Sequence, residues 1–466
     1  MRYENFGTPV NAFTVAAFTN YDPVNFAAPH KVPVDNNNFA PTLGFAWNPR
    51  GSNFMDRMMG GRKMVWRGGF QVSYDTWFNN LLSNIAGSSP NTLGGNITSP
   101  TTGRGLANFS GAFAGILPTP PTALSAQSNL FLLPMVNPYT DRWSLGFERE
   151  MPYSMIWDAS YVGSMSHKLF RSIDMNPLVG GVRFQPQVGI RTVRASSANS
   201  NYEALQLELK RSFKSTPVGQ VQFQGSYTYA HYLDDISDVF GFDSTASSFE
   251  SVSQVLGVSQ RIDYGNSDFD RRHVGSLAVL WDVRGPKTGV LGALVGGWTL
   301  SAIPHWQTGF PFTVSNGSDR NGDGQTTADR PDISNLAAPL NTRAIISASC
   351  ATGFTNPDGP IGNCVDPTTV HFIEGTGLPN ARTLGRNALR APGYSNLDAG
   401  IAKHFKFGER RDLMFRAEMF NAFNATNFSN RVAPRTVNGS KPGSFLDFTQ
   451  TESIGRTMRM RLTFYF

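Results

Sequence analysis

One stretch of the sequence has the spacing of a calcium-binding loop. Residues 318–331 read SDRNGDGQTTADRP, with acidic or amide side chains at loop positions 1, 3 and 5 and a glycine at position 6. This is the ligand pattern of an EF-hand loop. Position 12 is Arg330, however, where that loop needs a bidentate glutamate, and no flanking helices are predicted. The alternative is a cluster of Asx and glycine turns. If the site binds a structural Ca²⁺, its predicted ligands are Asp319, Asn321, Asp323 and Asp329.

The chain has two cysteines, Cys350 and Cys364, in one segment rich in glycine, proline and asparagine. A disulfide closing this segment would indicate an oxidising compartment outside the cytoplasm. The alternative is two unrelated thiols. Proximity and loop context favour the disulfide.

No other group of residues indicates catalysis. The seven histidines show no HExxH spacing, and the sequence has no GxSxG elbow, no P-loop and no GxGxxG ahead of a helix. Glu148, Glu208 and Glu418 could pair as acid and base. Each falls on a predicted strand, where cross-strand partners such as Arg416 and Arg459 give a simpler account. We predict that the protein is not an enzyme and has no cofactor other than the calcium considered above.

Composition limits the classes of fold and partner. Charged residues make up 16% of the 466 residues, whereas glycine, proline and aromatic residues are plentiful. This balance disfavours helical bundles and coiled coils. The net charge of +6 is spread over the whole chain without a basic run, so no nucleic acid partner is predicted.

The elements that carry these residues alternate strictly between apolar and polar side chains. In the last ten residues, Met458, Met460, Leu462, Phe464 and Phe466 fall on one side, and the arginines fall on the other. Alternation of this length predicts strands with one apolar and one polar face. Residues 1–4 resemble the end of a further strand. Eleven full strands are predicted: 38–47, 63–74, 139–149, 154–163, 201–212, 220–231, 271–283, 294–309, 395–406, 411–421 and 453–466.

Short connections between these strands alternate with long ones, which is typical of an outer-membrane barrel with periplasmic turns and long extracellular loops. The predicted long connections are 75–138, 164–200, 232–270, 310–394 and 422–452. A soluble sandwich or propeller also has alternating strands, but its apolar faces meet in a shared core. Charged residues on the polar faces favour a water-filled lumen instead. The predicted lumen-facing residues are Glu208, Lys210, Arg416, Glu418, Arg459 and Arg461.

Neither a membrane-spanning helix nor a signal peptide is predicted. The most apolar stretch, 289–303, is short, glycine-rich and closed by Pro304. The first residues, MRYENFGTPV, lack an apolar core behind a basic start. Either the chain is cytoplasmic or its true beginning is missing.

Several segments resemble the barrel of TonB-dependent outer-membrane receptors, specifically the Oar-like branch. Their collinear order along essentially the whole chain is more specific than any single motif. The matching segments are NFAPTLGFAWNP (38–49), RGGFQVSYD (67–75), NPYTDRWSLGFEREMP (137–152), SNYEALQLELKRSF (200–213), DRRHVGSLAVLWDVRGP (270–286), GGWTLSAIPHWQTGFPFTV (296–314), LGRNALRAPGYSNLDAGIAKHFKF (384–407) and FRAEMFNAFNATNF (415–428).

The resemblance implies an all-β, antiparallel transmembrane barrel of 22 strands. It also implies a signal peptide, a carboxypeptidase-regulatory-like domain, a TonB box and a plug, none of which this sequence shows. We therefore expect residues 1–466 to be the C-terminal part of a receptor barrel, with about 11–12 strands, which would not close alone. The implied partners are outer-membrane lipid, the barrel assembly machinery through the terminal Phe466, and the TonB complex through the plug.

The resemblance predicts a location in the outer membrane of a Gram-negative-type bacterium and a role in TonB-dependent uptake of a large or scarce ligand. The alternative is a surface-exposed adhesion or interaction protein, or a non-functional barrel fragment. Loops such as 79–100, rich in asparagine, serine, threonine and glycine, suit an oligosaccharide, although the same composition is common in outer loops. The sequence does not identify the extracellular ligand, because loops diverge fastest.

Overall fold

The computed structural model is built almost entirely from antiparallel strands. It describes residues 2–3, 14–25, 27–31, 35–50, 54, 60–75, 79–88, 127–238, 262–286, 289–322, 329–360, 362–407, 411–429, 437 and 445–466. Within these ranges, no helix is both long and apolar enough to cross a membrane.

Eleven strands follow one another in sequence order across one sheet, each hydrogen-bonded to the next. This is the order expected when every connection joins neighbouring antiparallel strands. The all-β, antiparallel prediction is confirmed, and each of the eleven predicted strands is present. They are β5 (Thr42–Trp47), β6 (Met64–Tyr74), β8 (Tyr139–Met151), β9 (Met155–Asp174), β12 (Arg191–Thr216), β13 (Gly219–Asp234), β15 (His273–Val283), β16 (Trp298–Gln307), β23 (Tyr394–Phe407), β24 (Arg411–Phe420) and β25 (Thr457–Tyr465).

The remaining elements are short and lie in the connections. Among the described residues, α-helices include α1 (Asn79–Ala86) and α2 (Gly289–Val295). The short strands are β1 (Arg2–Tyr3), β2 (Thr14–Phe18), β3 (Ala27–Lys31), β4 (Phe39–Ala40), β7 (Ser128–Leu132), β10 (Leu178–Val179), β11 (Val182–Arg183), β14 (Gly265–Asn266), β17 (Pro311–Phe312), β18 (Asp332–Ile333), β19 (Arg343–Ile346), β20 (Phe354–Thr355), β21 (Phe372–Ile373) and β22 (Leu389–Arg390).

Long and short connections lie at opposite ends of the sheet, which we call the loop end and the turn end. At the turn end, residues 152–154 link β8 to β9, and two residues link β12 to β13. Tyr153 and Ser154 both have positive φ, which lets the chain reverse within three residues. At the N-terminus, β1 pairs antiparallel with β4, as expected for the end of a further strand.

Two central strands are much longer than predicted. β9 has 20 residues and β12 has 26, whereas a tilted crossing of a bilayer needs about 9–11. The prediction of a long loop over 164–200 is therefore wrong, because both strands continue their pairing past the loop end. Loop elements cover the extensions of β9 and β12. These extensions therefore lack the alternation of apolar and polar side chains by which the other strands were predicted.

The two larger hydrophobic cores of the described residues lie at the loop end. The first packs α1, β2 and β7 against the extensions of β9 and β12. Its buried residues are Ala17, Phe18, Leu81, Ile85, Leu130, Phe131, Met135, Phe170, Ile173, Met175, Val193 and Ala195. The second lies within the connections after β16 and β24. Its buried residues are Phe312, Val314, Phe372, Leu384, Ala391, Val437 and Phe445. The described loop segments are therefore packed structures with their own buried apolar surface.

Candidate functional site

The sheet has one polar face that is continuous across its strands. Residues directly opposite each other in an antiparallel pair point to the same side. The register from β6 to β23 aligns one row of such partners, and Glu418 and Arg459 continue the face on β24 and β25. The row runs Val65, Glu148, Asp158, Glu208, Ser226, Ser276, His305 and Asn396.

Three carboxylates stand side by side in this row. Asp158 lies directly opposite Glu148 on one neighbouring strand and Glu208 on the other. Like charges so placed destabilise a sheet. The outer two have basic partners: Arg67 Nη2 lies 3.2 Å from Glu148 Oε2, and Lys210 Nζ lies 3.9 Å from Glu208 Oε2. The glutamates are thus paired with cations rather than arranged as an acid and base.

The predicted residues of β24 and β25 form a second charged group on the same face. Arg416 Nη2 lies 2.6 Å from Glu418 Oε1. In the ladder, Glu418 faces Arg459 and Arg416 faces Arg461. Arg459 and Arg461 thus add positive charge beside the Arg416–Glu418 ion pair on this face.

The opposite face is apolar and exposed. Its central row runs Trp47, Trp66, Phe147, Ala159, Leu207, Tyr227, Gly275 and Trp306. Large side chains along this face are exposed, including Leu43, which is 70% exposed, and Leu462, which is 66% exposed. Contiguous exposed apolar surface of this kind marks contact with another apolar phase or partner.

Buried charges tie the loop-end segments together. Five charged side chains, each at most 5% exposed, form an arginine–aspartate cluster. Arg386 is paired with the Asp234 carboxylate, and its Nε donates to the Asp263 carbonyl at 2.8 Å. Arg330 is paired with the Asp263 carboxylate. The members of the cluster are Arg171, Asp234, Asp263, Arg330 and Arg386.

The cluster holds segments that are far apart in sequence in one arrangement. Burial raises the pKa of Asp263, and the nearby Arg330 guanidinium opposes that rise. Burial likewise lowers the pKa of Arg330, against the effect of Asp263. A buried pair like this adds little net stability, but loss of one partner leaves the other as an uncompensated charge. The pairs therefore link three segments, around residues 234, 263 and 330–386, at the loop end of the polar face.

A neighbouring arginine lies at the start of β15. The Arg271 guanidinium lies over the Phe310 ring. Burial, together with the charge of Arg390, lowers its pKa to about 9. Arg390 and Arg272 both pair with Asp270, with Arg272 Nη2 at 3.7 Å from Asp270 Oδ2. Three guanidinium groups, those of Arg271, Arg272 and Arg390, thus lie at the loop end above β15, together with the carboxylates of Asp270 and Glu452.

The predicted calcium loop is only partly within the described residues, since Asp323 lies outside them. Asp329 is fully buried, and its Oδ2 accepts hydrogen bonds from the backbone N–H groups of Arg320 and Asn321. The Asn321 carbonyl accepts from Gly180 N at 2.8 Å. In the described ranges, no group of three or more His, Cys, Asp or Glu side chains is arranged to hold a metal. Asp329 organises a turn here, and the calcium ion stays a prediction.

The two cysteines are joined to each other. Cys350 and Cys364 form a disulfide that closes a loop with a sequence separation of 14. Arg343 precedes this loop in sequence, and its Nη2 lies 2.7 Å from Oδ1 of Asp358 inside the loop. Burial lowers the pKa of Arg343, and Asp358 opposes this shift. The covalent bond and the ion pair close the same part of the long connection after β16.

Sequence reasoning missed the arginine–aspartate cluster. Asp234 and Arg386 are 152 residues apart, and no motif links them. The segments quoted above around Asp270, Arg386 and Arg390 include part of this charge network. The sequence shows that these segments carry charged residues. It does not show which charges pair, because the order of strands in the sheet brings the partners together.

A family model described as outer membrane beta barrel domain matches residues 1–459. Among curated proteins, no match to the chain is found. The fold is similar to the outer membrane transporter YddB from Escherichia coli, with 9% identity, 87% of this chain and 39% of that chain covered, and a TM-score of 0.40.

Two further solved structures are similar at the same level. The siderophore receptor PiuA from Acinetobacter baumannii has 9% identity, 94% of this chain and 37% of that chain covered, and a TM-score of 0.39. The ferripyoverdine receptor of Pseudomonas aeruginosa has 9% identity, 93% and 33% coverage, and a TM-score of 0.38. The chain spans less than two fifths of the length of each of these three proteins. By its family match, the chain belongs to the outer membrane β-barrel domains and resides in the outer membrane of a Gram-negative-type bacterium.

Proposed function

We propose that this chain is part of a TonB-dependent receptor barrel of the Oar-like branch, which takes up a large or scarce ligand across the outer membrane. The main support for this proposal is that the sheet has one continuous polar face and one exposed apolar face. In an outer-membrane barrel the apolar face meets lipid. The polar face then lines an aqueous lumen, with Glu208, Lys210, Arg416, Glu418, Arg459 and Arg461 along it.

The packed segments at the loop end of the sheet are the proposed ligand-binding surface. They are held by two hydrophobic cores, the arginine–aspartate cluster and a disulfide, so they present a preorganised surface rather than a flexible one. Preorganisation favours binding because less ordering entropy is lost. Oligosaccharides are the first ligand class to test, since the loops are rich in amide, hydroxyl and aromatic side chains.

The proposal includes the partners that the sequence resemblance implies. Energy would reach the receptor from the TonB complex through a plug, as part of a 22-strand barrel of which residues 1–466 form the C-terminal portion. The terminal Phe466, 98% exposed beyond β25, would be the signal for the barrel assembly machinery. A structural calcium at Asp319, Asn321, Asp323 and Asp329 would brace an outer loop.

Cysteine accessibility tests the assignment of the faces. Gln224 and Phe223 are adjacent on β13 and point to opposite faces. In outer-membrane preparations, a membrane-impermeant maleimide should label Gln224→Cys, because that position faces water. It should label Phe223→Cys poorly. Equal labelling of both would contradict a lipid face and a lumen face.

Energy dependence tests uptake. Cells that express the complete receptor should accumulate a fluorescent oligosaccharide, and a protonophore or deletion of TonB should abolish accumulation. Surface binding that persists unchanged without energy, with no accumulation, would instead favour the adhesion role.

A further inference from the structure

The connection between β15 and β16 exposes apolar side chains at the turn end. It contains α2, the seven-residue helix Gly289–Val295. Val290 is 77% exposed, Leu291 66%, Leu294 65% and Val295 49%. Short connections at a turn end are ordinarily polar, so four open aliphatic side chains require an explanation.

These four side chains lie on one side of the helix. Positions i, i+1, i+4 and i+5 fall within an arc of about 140° at 100° per residue. Gly289 and Gly292 occupy the other side. The helix therefore has one aliphatic side that faces outward.

Residues of the apolar face hold the end of this helix. Trp298 Nε1 donates to the Leu294 carbonyl at 2.9 Å. Lys403 Nζ donates to the same carbonyl at 3.3 Å and also to the Gly296 carbonyl. Trp298 and Lys403 are direct partners in the β16–β23 ladder. Both belong to the apolar face, so α2 is attached to that side of the sheet.

Lys403 is a buried cation on a face that otherwise carries hydrocarbon. It is 2% exposed, and its ammonium lies 4.8 Å from the centre of the Trp298 ring and 5.5 Å from that of Phe405. A cation at the carbonyl end of a helix satisfies otherwise unpaired acceptors. The aromatic faces add cation–π attraction. The described contacts of this lysine thus all hold the end of α2 against the apolar face.

The backbone beside the helix is closely packed. A Cβ on Gly285 would lie 2.8 Å from Gly296 Cα and 2.9 Å from the Val295 carbonyl oxygen. Gly297 has a φ of +71°, which reverses the chain directly into β16. Glycine at these positions brings the helix close to the end of the sheet.

We propose that α2 is an interfacial anchor whose four aliphatic side chains insert among the phospholipid chains of the periplasmic leaflet. The exposed side of α2 continues the apolar face, which is the surface that meets lipid in an outer-membrane barrel. A helix satisfies most of its own backbone groups, and its apolar side can lie in the membrane interface. At about 10 Å, seven helical residues are too short to cross the bilayer. The inference rests on the outer-membrane location and not on uptake.

Site-specific fluorescence tests the anchor. The complete receptor with Leu294→Cys, labelled with an environment-sensitive dye, is inserted into vesicles of phosphatidylethanolamine and phosphatidylglycerol. The matched control is Arg284→Cys, an exposed position in the same connection. It follows Asp282, a polar-face residue, by two positions. The label at 294 should show a blue-shifted emission, quenching by brominated lipid chains and protection from iodide. The label at 284 should show the reverse.

Three results would overturn the proposal. Iodide quenching at 294 as strong as at 284 would place α2 in water. Quenching at 294 by neither agent would mean that another protein or a second copy of the chain covers it. A second variant, Val290→Ser with Leu291→Ser and Val295→Ser, should move the emission at 294 toward that at 284. Because these side chains are exposed, the sheet does not depend on them, and an unchanged emission would also refute the anchor.

Discussion

Trp306 lies directly opposite Gly275 in the β15–β16 ladder, and its indole ring covers the glycine. A Cβ added to Gly275 would overlap the ring. The same relationship joins Trp143 to Gly163, and Phe45 lies over Gly68. All three pairs lie on the apolar face. Glycine there lets a large aromatic ring lie flat along the sheet.

Replacing Gly275 with alanine should destabilise the sheet by about 1–3 kcal/mol, because the added methyl forces the Trp306 ring out of its position. The measurement is the free energy of unfolding of the complete receptor in vesicles, from a denaturant titration. Gly44→Ala is the matched control, since the nearest neighbour of its new Cβ would be a carbonyl at 3.7 Å. Equal loss in both variants would show that backbone effects dominate instead.

Replacing Arg386 with leucine should destabilise the packed segments at the loop end of the sheet by about 3–5 kcal/mol, since it leaves the buried Asp234 carboxylate unpaired. Hydrogen exchange of the backbone amides at 262–270 and 384–390 measures this local stability. Arg416→Gln is the control: its pair with Glu418 is largely exposed, at 49% and 27%, and its loss should cost at most about 1 kcal/mol. Similar effects from both variants would contradict the burial-dependent cost.

Reducing the Cys350–Cys364 disulfide should lower the local stability of residues 343–373 by about 3 kcal/mol, the value expected for a loop of this size. Hydrogen exchange in this segment should accelerate with reductant, and the Cys350→Ser/Cys364→Ser variant should behave like the reduced chain. Exchange in β23 and β24 serves as the internal control and should not change. Acceleration across the whole sheet would refute a local role.

Replacing Asp158 with asparagine should stabilise the sheet by about 0.2–1 kcal/mol, because this carboxylate faces Glu148 on one side and Glu208 on the other. Denaturant titration measures the change. Asp282→Asn is the control, since Asp282 faces Gln220 and Thr299 and accepts a hydrogen bond from Thr299 Oγ1 at 2.6 Å. The free energy of unfolding of the Asp282→Asn variant should not increase. A loss of stability in Asp158→Asn would mean that the hydrogen bond which Asp158 Oδ1 accepts from Ser160 Oγ, at 2.9 Å, outweighs the repulsion between the carboxylates.

Asp366 caps the short 3-10 helix Pro367–Thr369, and this cap should respond to acid. Hydrogen bonds from the backbone N–H and the hydroxyl of Thr368 lower the pKa of Asp366 below its ordinary 3.8. The folded state therefore binds this proton more weakly than the unfolded state. Its stabilising contribution is full above pH 3.8 and disappears as pH falls through the lower folded pKa. Exchange of the Thr368 amide, relative to that in Asp366→Ala, should lose its protection over this range. Protection of the Thr368 amide that is unchanged in acid would show that the Asp366 carboxylate does not stabilise this turn.

The eleven strands could be predicted from the sequence because each has one face in an apolar phase and one in water. That difference leaves a period of two in the side chains, as in residues 457–465. The order of strands also followed, since neighbours in sequence pair in space. The pattern disappeared over 164–174 and 191–200, where loop elements bury the strand extensions and no longer leave one face in each phase.

Alternating polarity along one strand determined its two faces, so the sequence alone placed Glu208 and Lys210 on the side opposite Leu207 and Leu209. Only the tertiary structure decided which charges meet across long connections. Arg386 reaches Asp234 over 152 residues, and Lys403 reaches the end of α2 over 107. Those contacts depend on register and loop packing, whose energies come from residues distant in sequence. The alternation along one strand indicates whether a side chain faces water or an apolar environment. The tertiary fold determines which other side chain it contacts.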